Sequence, residues 1–101
     1  MGLGIAVVDF RGTILDRVDD SKNFLHELLP PASEGSESML SKIDWYGDTY
    51  FNYLQMKRFL AEWDELAKRV RTEEQQTLVS SIRKFAVRCQ TDRDVLRFIG
   101  D

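Results

Sequence analysis

The chain has 101 residues, of which 43% are hydrophobic and 31% charged, and its net charge is −3. A chain of that length fits one domain, 1–101, that buries roughly 60 to 68% of the surface of its unfolded form, which leaves one modest core and little room for a large enclosed active site. The composition excludes wholesale disorder, and no apolar run approaches the roughly 20 residues needed to cross a bilayer.

Charge is unevenly placed. Residues 1–50 carry nine acids and four bases, whereas residues 51–101 carry eight acids and ten bases. The bases of the second half alternate with acids, as on a solvated helix face, and phosphate binding needs a clustered basic surface. No nucleic-acid or membrane partner is therefore expected. One cysteine allows no internal disulfide, and a reducing, cytoplasmic compartment is the natural expectation. The first residues, Met1 to Asp9, have no basic leader and read as a strand and not as a signal peptide. Ala6 stands where an N-myristoylation signal wants Ser or Thr.

Leu3 to Phe10 is almost continuously apolar and rich in β-branched residues, as in a strand covered on both faces. Arg11-Gly12 punctuates it, and Thr13 to Val18 returns as a second strand, with Gly12 supplying the positive φ of a tight hairpin. Asp19-Asp20-Ser21 offers capping oxygens to a short helix whose apolar stripe is Phe24, Leu25, Leu28 and Leu29. Pro30-Pro31 ends that helix, and the Pro/Ser/Glu/Gly-rich stretch 30–38 reads as a mobile internal loop. Met39 to Ile43 fits either a helical turn or a strand.

Asp44 to Tyr53 holds five of the eleven aromatic residues with two acids and a glycine; Asp48 or Thr49 is expected to cap a helical turn running toward Gln55. Two long helices follow, the first over Lys57 to Val70 and the second over Glu73 to about Gln90. Their apolar residues share one spacing. Phe59, Leu60, Trp63, Leu66, Ala67 and Val70 are matched nineteen residues later by Leu78, Val79, Ile82, Phe85, Ala86 and Cys89. Offsets 0, 1, 4, 7, 8 and 11 fall on one helical face, so two equal stripes joined by a few polar residues predict an antiparallel helical pair. Thr72-Glu73-Glu74-Gln75 fits a capping box at the second helix's start. Val95 to Ile99 has strand composition and ends at Gly100. The expected fold is α+β: a small antiparallel sheet, from the N-terminal hairpin and the C-terminal strand, packed on the helical pair and the shorter helix.

The candidate site is the aromatic and acidic segment. Trp and Tyr combine large contact area with a polar handle and dominate interface hot spots, so Trp45, Tyr46, Tyr50 and Tyr53 are candidate partner-binding residues against the alternative of covering one end of the core. Asp44 and Asp48 would give them a negative rim suited to a basic protein partner. No catalytic, metal or cofactor site is expected. His26 is the only histidine and lacks ligand spacing; Cys89 continues the apolar stripe; Asp16, Asp19 and Asp20 lack the spacing of a calcium loop and are accounted for by turns and capping.

Two resemblances bear on function. Val7-Val8-Asp9-Phe10-Arg11-Gly12-Thr13-Ile14-Leu15-Asp16 resembles the first motif of haloacid dehalogenase-like phosphatases over about ten residues, with Asp9 at the nucleophile's place and Arg11 where that family has its second acid. It implies the alternative of a small Mg-dependent hydrolase using Asp9, Asp16 and Asp48. The segment Ile43-Asp44-Trp45-Tyr46-Gly47-Asp48-Thr49-Tyr50-Phe51-Asn52, with the closing Phe98-Ile99-Gly100-Asp101, resembles a family of small uncharacterised bacterial single-domain proteins, and the likeness spans nearly the whole chain. It carries over no catalytic residue. In general character such small acidic domains are similar to the immunity proteins that neutralise bacterial toxins. The leading expectation is a non-enzymatic protein-binding domain of that kind, acting by occlusion; a structural homodimer that pairs through a residual apolar stripe is a further alternative.

Overall fold

The computed structural model describes residues 2–29 and 38–100. Four antiparallel strands form one sheet in the order β2-β1-β4-β3. Strands β1 (Gly4–Val8) and β2 (Ile14–Asp19) make the predicted hairpin, and β4 (Val95–Ile99) adds to the other side of β1. Gly12 has φ +86°, as the turn requires, and the Asp9 carboxylate fastens that turn by accepting from Arg11 N and Thr13 N, each at 2.9 Å. One extra residue, Leu15, is accommodated opposite the Val7/Val8 step, where the register shifts.

Strand β3 (Asp48–Phe51) was not foreseen; its residues were expected to open a helical turn. They pair with β4 instead, Asp48 opposite Ile99 through Phe51 opposite Leu96. Thr49-Tyr50-Phe51 is β-branched and aromatic, and the free edge of β4 offers it backbone partners that a local turn cannot. Capping falls to Asn52: its side chain accepts from Gln55 N at 3.2 Å while the Gln55 side chain accepts from Asn52 N at 2.8 Å, closing a capping box around the 3₁₀ turn Tyr53–Gln55. The undecided Met39 to Ile43 region contains a second 3₁₀ turn, Leu40–Lys42.

Helices α2 (Met56–Ala67) and α3 (Glu73–Asp92) form the expected pair. The buried face of α2 is Met56, Phe59, Trp63 and Leu66, and that of α3 includes Leu78, Val79, Ile82, Ala86 and Cys89. Helix α2 stops three residues short of Val70 because its last turn tightens into i→i+3 bonds, Lys68 N to Glu65 O, Arg69 N to Leu66 O and Val70 N to Ala67 O; Val70 still packs on the core. Thr72 caps α3 by accepting from Gln75 N, but the Gln75 side chain reaches one residue further back and accepts from Arg71 N at 2.8 Å.

Helix α1 (Phe24–Leu28) begins where Asp20, 2% exposed, accepts from Phe24 N and Leu25 N, each at 2.8 Å, while its own amide donates to Leu3 O. One buried residue thereby joins the end of β2 to the start of β1 through its amide and to the first turn of α1 through its carboxylate. The mobile loop expected over 30–38 lies, apart from Ser38, outside the described residues. Ser38 itself is held, its hydroxyl donating to Glu62 Oε1 at 2.8 Å.

All buried apolar side chains of the helices join one cluster with Leu3, Ile5, Val7, Leu96, Phe98 and Phe51. At its centre Trp63 stacks on Phe59 at 5.4 Å, packs against Phe98 and donates its indole N–H to Val79 O at 3.0 Å. By strand alternation Ala6 and Val8 face away from this cluster. They are buried nonetheless, although among the described residues no second layer covers them: Ala6 lies in register between Arg17 and Arg97, and Val8 between Ile14 and Val95, whose longer side chains shelter them.

Candidate functional site

Of the candidate residues, Asp48 and Tyr50 lie on β3, the free edge of the sheet on the β4 side, Asp44, Trp45 and Tyr46 lie in the turn before it, and Tyr53 lies in the 3₁₀ turn after it. The chain enters this region from a fixed point: Glu62 on α2 accepts from Met39 N at 3.1 Å, Leu40 N at 3.2 Å and the Ser38 hydroxyl. Burial alone would raise the Glu62 pKa, but these hydrogen bonds and the nearby Arg58 charge outweigh it and hold the carboxyl below its ordinary value of 4.5. Asp44 then makes a tight turn, accepting from Tyr46 N at 2.8 Å, while its amide donates to Thr49 Oγ1 at 2.9 Å. The turn is clamped from the end of β4. Gly100 N donates to Gly47 O at 2.8 Å, and a Cβ on Gly100 would stand 2.6 Å from the carbonyl oxygens of Trp45 and Gly47, so this approach admits only glycine.

The segment divides its aromatics between core and surface. Phe51 faces inward and meets Phe59 at 5.3 Å and Phe98 at 5.9 Å. Trp45 is half-buried, packed on the core with its ring edge-to-face with His26 at 5.5 Å. Tyr46 and Tyr50 are 85% and 56% exposed, Tyr53 is also exposed, and Leu54, which composition did not single out, is 74% exposed. Tyr50 lies on the face of the sheet away from the helices, under the Arg97 guanidinium at 5.6 Å, and Arg93 lies over Tyr53 at the same distance.

The two acids have different surroundings. Arg97 Nη2 donates to Asp48 Oδ2 at 2.5 Å, so the Asp48 charge is compensated within the chain. Asp44 is exposed and has no cation paired with it among the described residues. Sequence reasoning missed three residues that shape the site. Arg97 was signalled by strand alternation, which places it beside β3's outward residues. Nothing in the sequence pairs Glu62 with Met39 and Leu40, more than twenty positions away, and Leu54 gave no sign that it would stand outside the core.

The acids of the hydrolase alternative are not brought together. Asp9 follows the C-terminal end of β1 and is occupied by the hairpin turn, whereas Asp48 is in register with Ile99 and so with Gly4 at the opposite end of β1. At about 3.4 Å per residue that separation is on the order of 17 Å along the strand. Asp16 lies on β2, at the far edge of the sheet from Asp48, and accepts from Arg17 N. Among the described residues no three His, Cys, Asp or Glu side chains are grouped to hold a metal ion. Cys89 is buried in the α3 stripe, where burial first and the Asp94 charge second push its thiol up to about 12, so it is protonated at neutral pH. No helix among the described residues is long and apolar enough to cross a membrane.

Compared with family models, with curated proteins and with solved structures, the chain matches none.

Proposed function

We propose that the chain is a non-enzymatic protein-binding domain, most concretely a bacterial toxin-neutralising immunity protein that acts by occlusion, with its contact surface along β3. The observation that carries this reading is the exposed set of Tyr50 on β3 and Tyr46, Tyr53 and Leu54 in the turns that flank it, beside a strand whose outer edge pairs with no other strand among the described residues. Exposed tyrosines supply large contact area at little entropic cost, and a free strand edge adds a ladder of backbone donors and acceptors. The clamp from Gly100, the Asp44 turn and the Asn52–Gln55 box fix that set in advance of binding, which lowers the ordering cost of association.

The partner is a protein with at least one cation placed to meet Asp44, the acid of the segment whose charge has no counterpart among the described residues. A blocker of this kind needs no chemistry of its own, only roughly 800 Å² of surface laid over the toxin's active site or substrate path.

Capture with the full chain as bait, beside a Tyr46→Ala/Tyr50→Ala variant, tests the reading. Retention of a basic protein by wild type alone, together with relief of that protein's toxicity on co-expression with wild type and not with the variant, is the expected result. Equal retention by both baits overturns the β3 surface. A captured protein whose activity is unaffected by the chain overturns neutralisation.

A further inference from the structure

The opposite edge of the sheet is equally open. Every residue of β2 but Val18 is exposed, and among the described residues no strand pairs with its outer side. An edge strand of six residues with exposed Ile14 and Leu15 is a template for another strand.

The backbone fixes which residues carry that template. Asp20 N donates to Leu3 O, so alternation turns the amides and carbonyls of Val18 and Asp16 toward β1 and those of Arg17 and Asp19 outward. Arg17 N behaves accordingly: lacking a strand partner, it donates to its neighbour Asp16 at 2.9 Å. Helix α3 runs beside β2 in the opposite sense, its Glu74 paired with Lys22 beyond the strand's end and its Arg88 3.9 Å from Asp16 near the strand's start. Two grooves lie between strand and helix and meet at Val18 and Ser81. One contains Asp19 and Glu74, the other Arg17, Lys84 and Arg88.

We infer that this side of the molecule is a homodimer interface, in which β2 pairs antiparallel with β2 of a second copy about a two-fold axis beside Val18. Charge selects the register. An axis at Arg17 sets two guanidinium groups against each other, and one at Asp19 sets two carboxylates together. The axis at Val18 alone places Arg17 opposite Asp19 of the second copy, twice, and these are the residues whose backbone groups point outward. It also sets Asp16 opposite Asp20 of the second copy, but the Asp20 carboxylate is buried within its own chain, where it accepts from Phe24 N and Leu25 N. The helices obey the same symmetry. Glu74 and Arg88 each lie seven residues, about two turns, from Ser81, so the axis that superposes Val18 on its copy brings Glu74 toward Arg88 of the second copy.

The intrachain pairs Arg17–Asp19 and Lys22–Glu74 are solvent-exposed, so exchanging them for pairs between copies costs little. Strand pairing alone buries too little for a stable dimer; the flank of α3, about 30 Å long, is what extends the contact toward the roughly 800 Å² per partner such an interface needs. The product is a continuous eight-stranded sheet with β3 at both ends, so the dimer leaves the proposed partner surface free and is independent of it.

Light scattering and sedimentation of the full chain over a range of concentrations at low salt test this. Wild type should pass from 11.8 kDa to twice that mass. Arg17→Asp alone and Asp19→Arg alone should each weaken association about tenfold or more, since each sets like charges opposite one another twice. An equimolar mixture of the two variants should dimerise again, because positions 17 and 19 then face each other with opposite charges in both places, and the double variant Arg17→Asp/Asp19→Arg should dimerise by itself. Both positions are exposed, and circular dichroism with thermal melting checks that each variant is folded. A wild-type chain that stays monomeric throughout overturns the proposal. So does a dimer indifferent to both reversals, which assigns the contact to another face, or a mixture that associates no better than its components.

Discussion

The helical pair and the Asp44 to Leu54 segment are built from similar side chains put to opposite uses. Phe59 and Trp63 are wholly buried, whereas Tyr46 and Leu54 are almost wholly exposed. On α2 the large apolar residues Met56, Phe59, Trp63 and Leu66 recur with the helical period and face one way. On β3 alternation sends Phe51 inward and Tyr50 outward, and the flanking turns carry Tyr46 and Leu54 outside any periodic element. Aromatic content alone therefore says little about burial; the period of the element that carries it decides.

Mutation separates the two regions sharply. Trp63→Ala removes the centre of the aromatic cluster together with an indole hydrogen bond and should lower stability by about 3–5 kcal/mol, read as a large drop in denaturant midpoint. An intact midpoint would place Trp63 outside the core. Next in size, Asp20→Ala strips two amides of α1 of their buried acceptor and should cost about 2 kcal/mol, again by denaturant titration.

Glu62 sharpens the contrast, because it ties the aromatic segment to α2. Its carboxyl is held below 4.5 in the folded chain, so its contribution is fully present above about pH 4.5 and is lost as the pH falls from there through the lowered folded value. Glu62→Gln should flatten the loss of wild-type stability over that acid range; parallel curves for the two proteins would show that Glu62 plays no part in it. Thr72→Ala, which removes the α3 cap, should cost about 1 kcal/mol and lower the melting temperature by about 4–8 °C. The smallest effect belongs to Tyr46→Ala, within about 0.5 kcal/mol in stability, so that any loss of partner binding it causes is a loss of contact and not of fold.

The hairpin, the helical pair, the Thr72 cap and the C-terminal strand were legible because each is written in local signals: a period, a capping oxygen, a glycine where φ must be positive. Cys89 was legible for the same reason, lying on a stripe the period defines. Strand β3 was not, since Asp48-Thr49-Tyr50-Phe51 is short and its strand state rests on pairing with β4, more than forty residues later in the chain. The same holds for the site. That Asp44 to Tyr53 is an unusual aromatic segment could be read directly; that Trp45 leans on His26, that Asp48 is compensated by Arg97 and that Leu54 stands out from the surface could not.

The sequence by itself determined the α+β class, the apolar faces of both long helices and the Asp20 and Thr72 caps that start α1 and α3, because periodicity and capping act over a few neighbouring positions. Only the tertiary structure decided the order of the strands, the two open edges of the sheet and which of the aromatics remain exposed. Those depend on contacts between residues distant in sequence, where hydrogen-bond partners and buried neighbours are supplied by the fold as a whole.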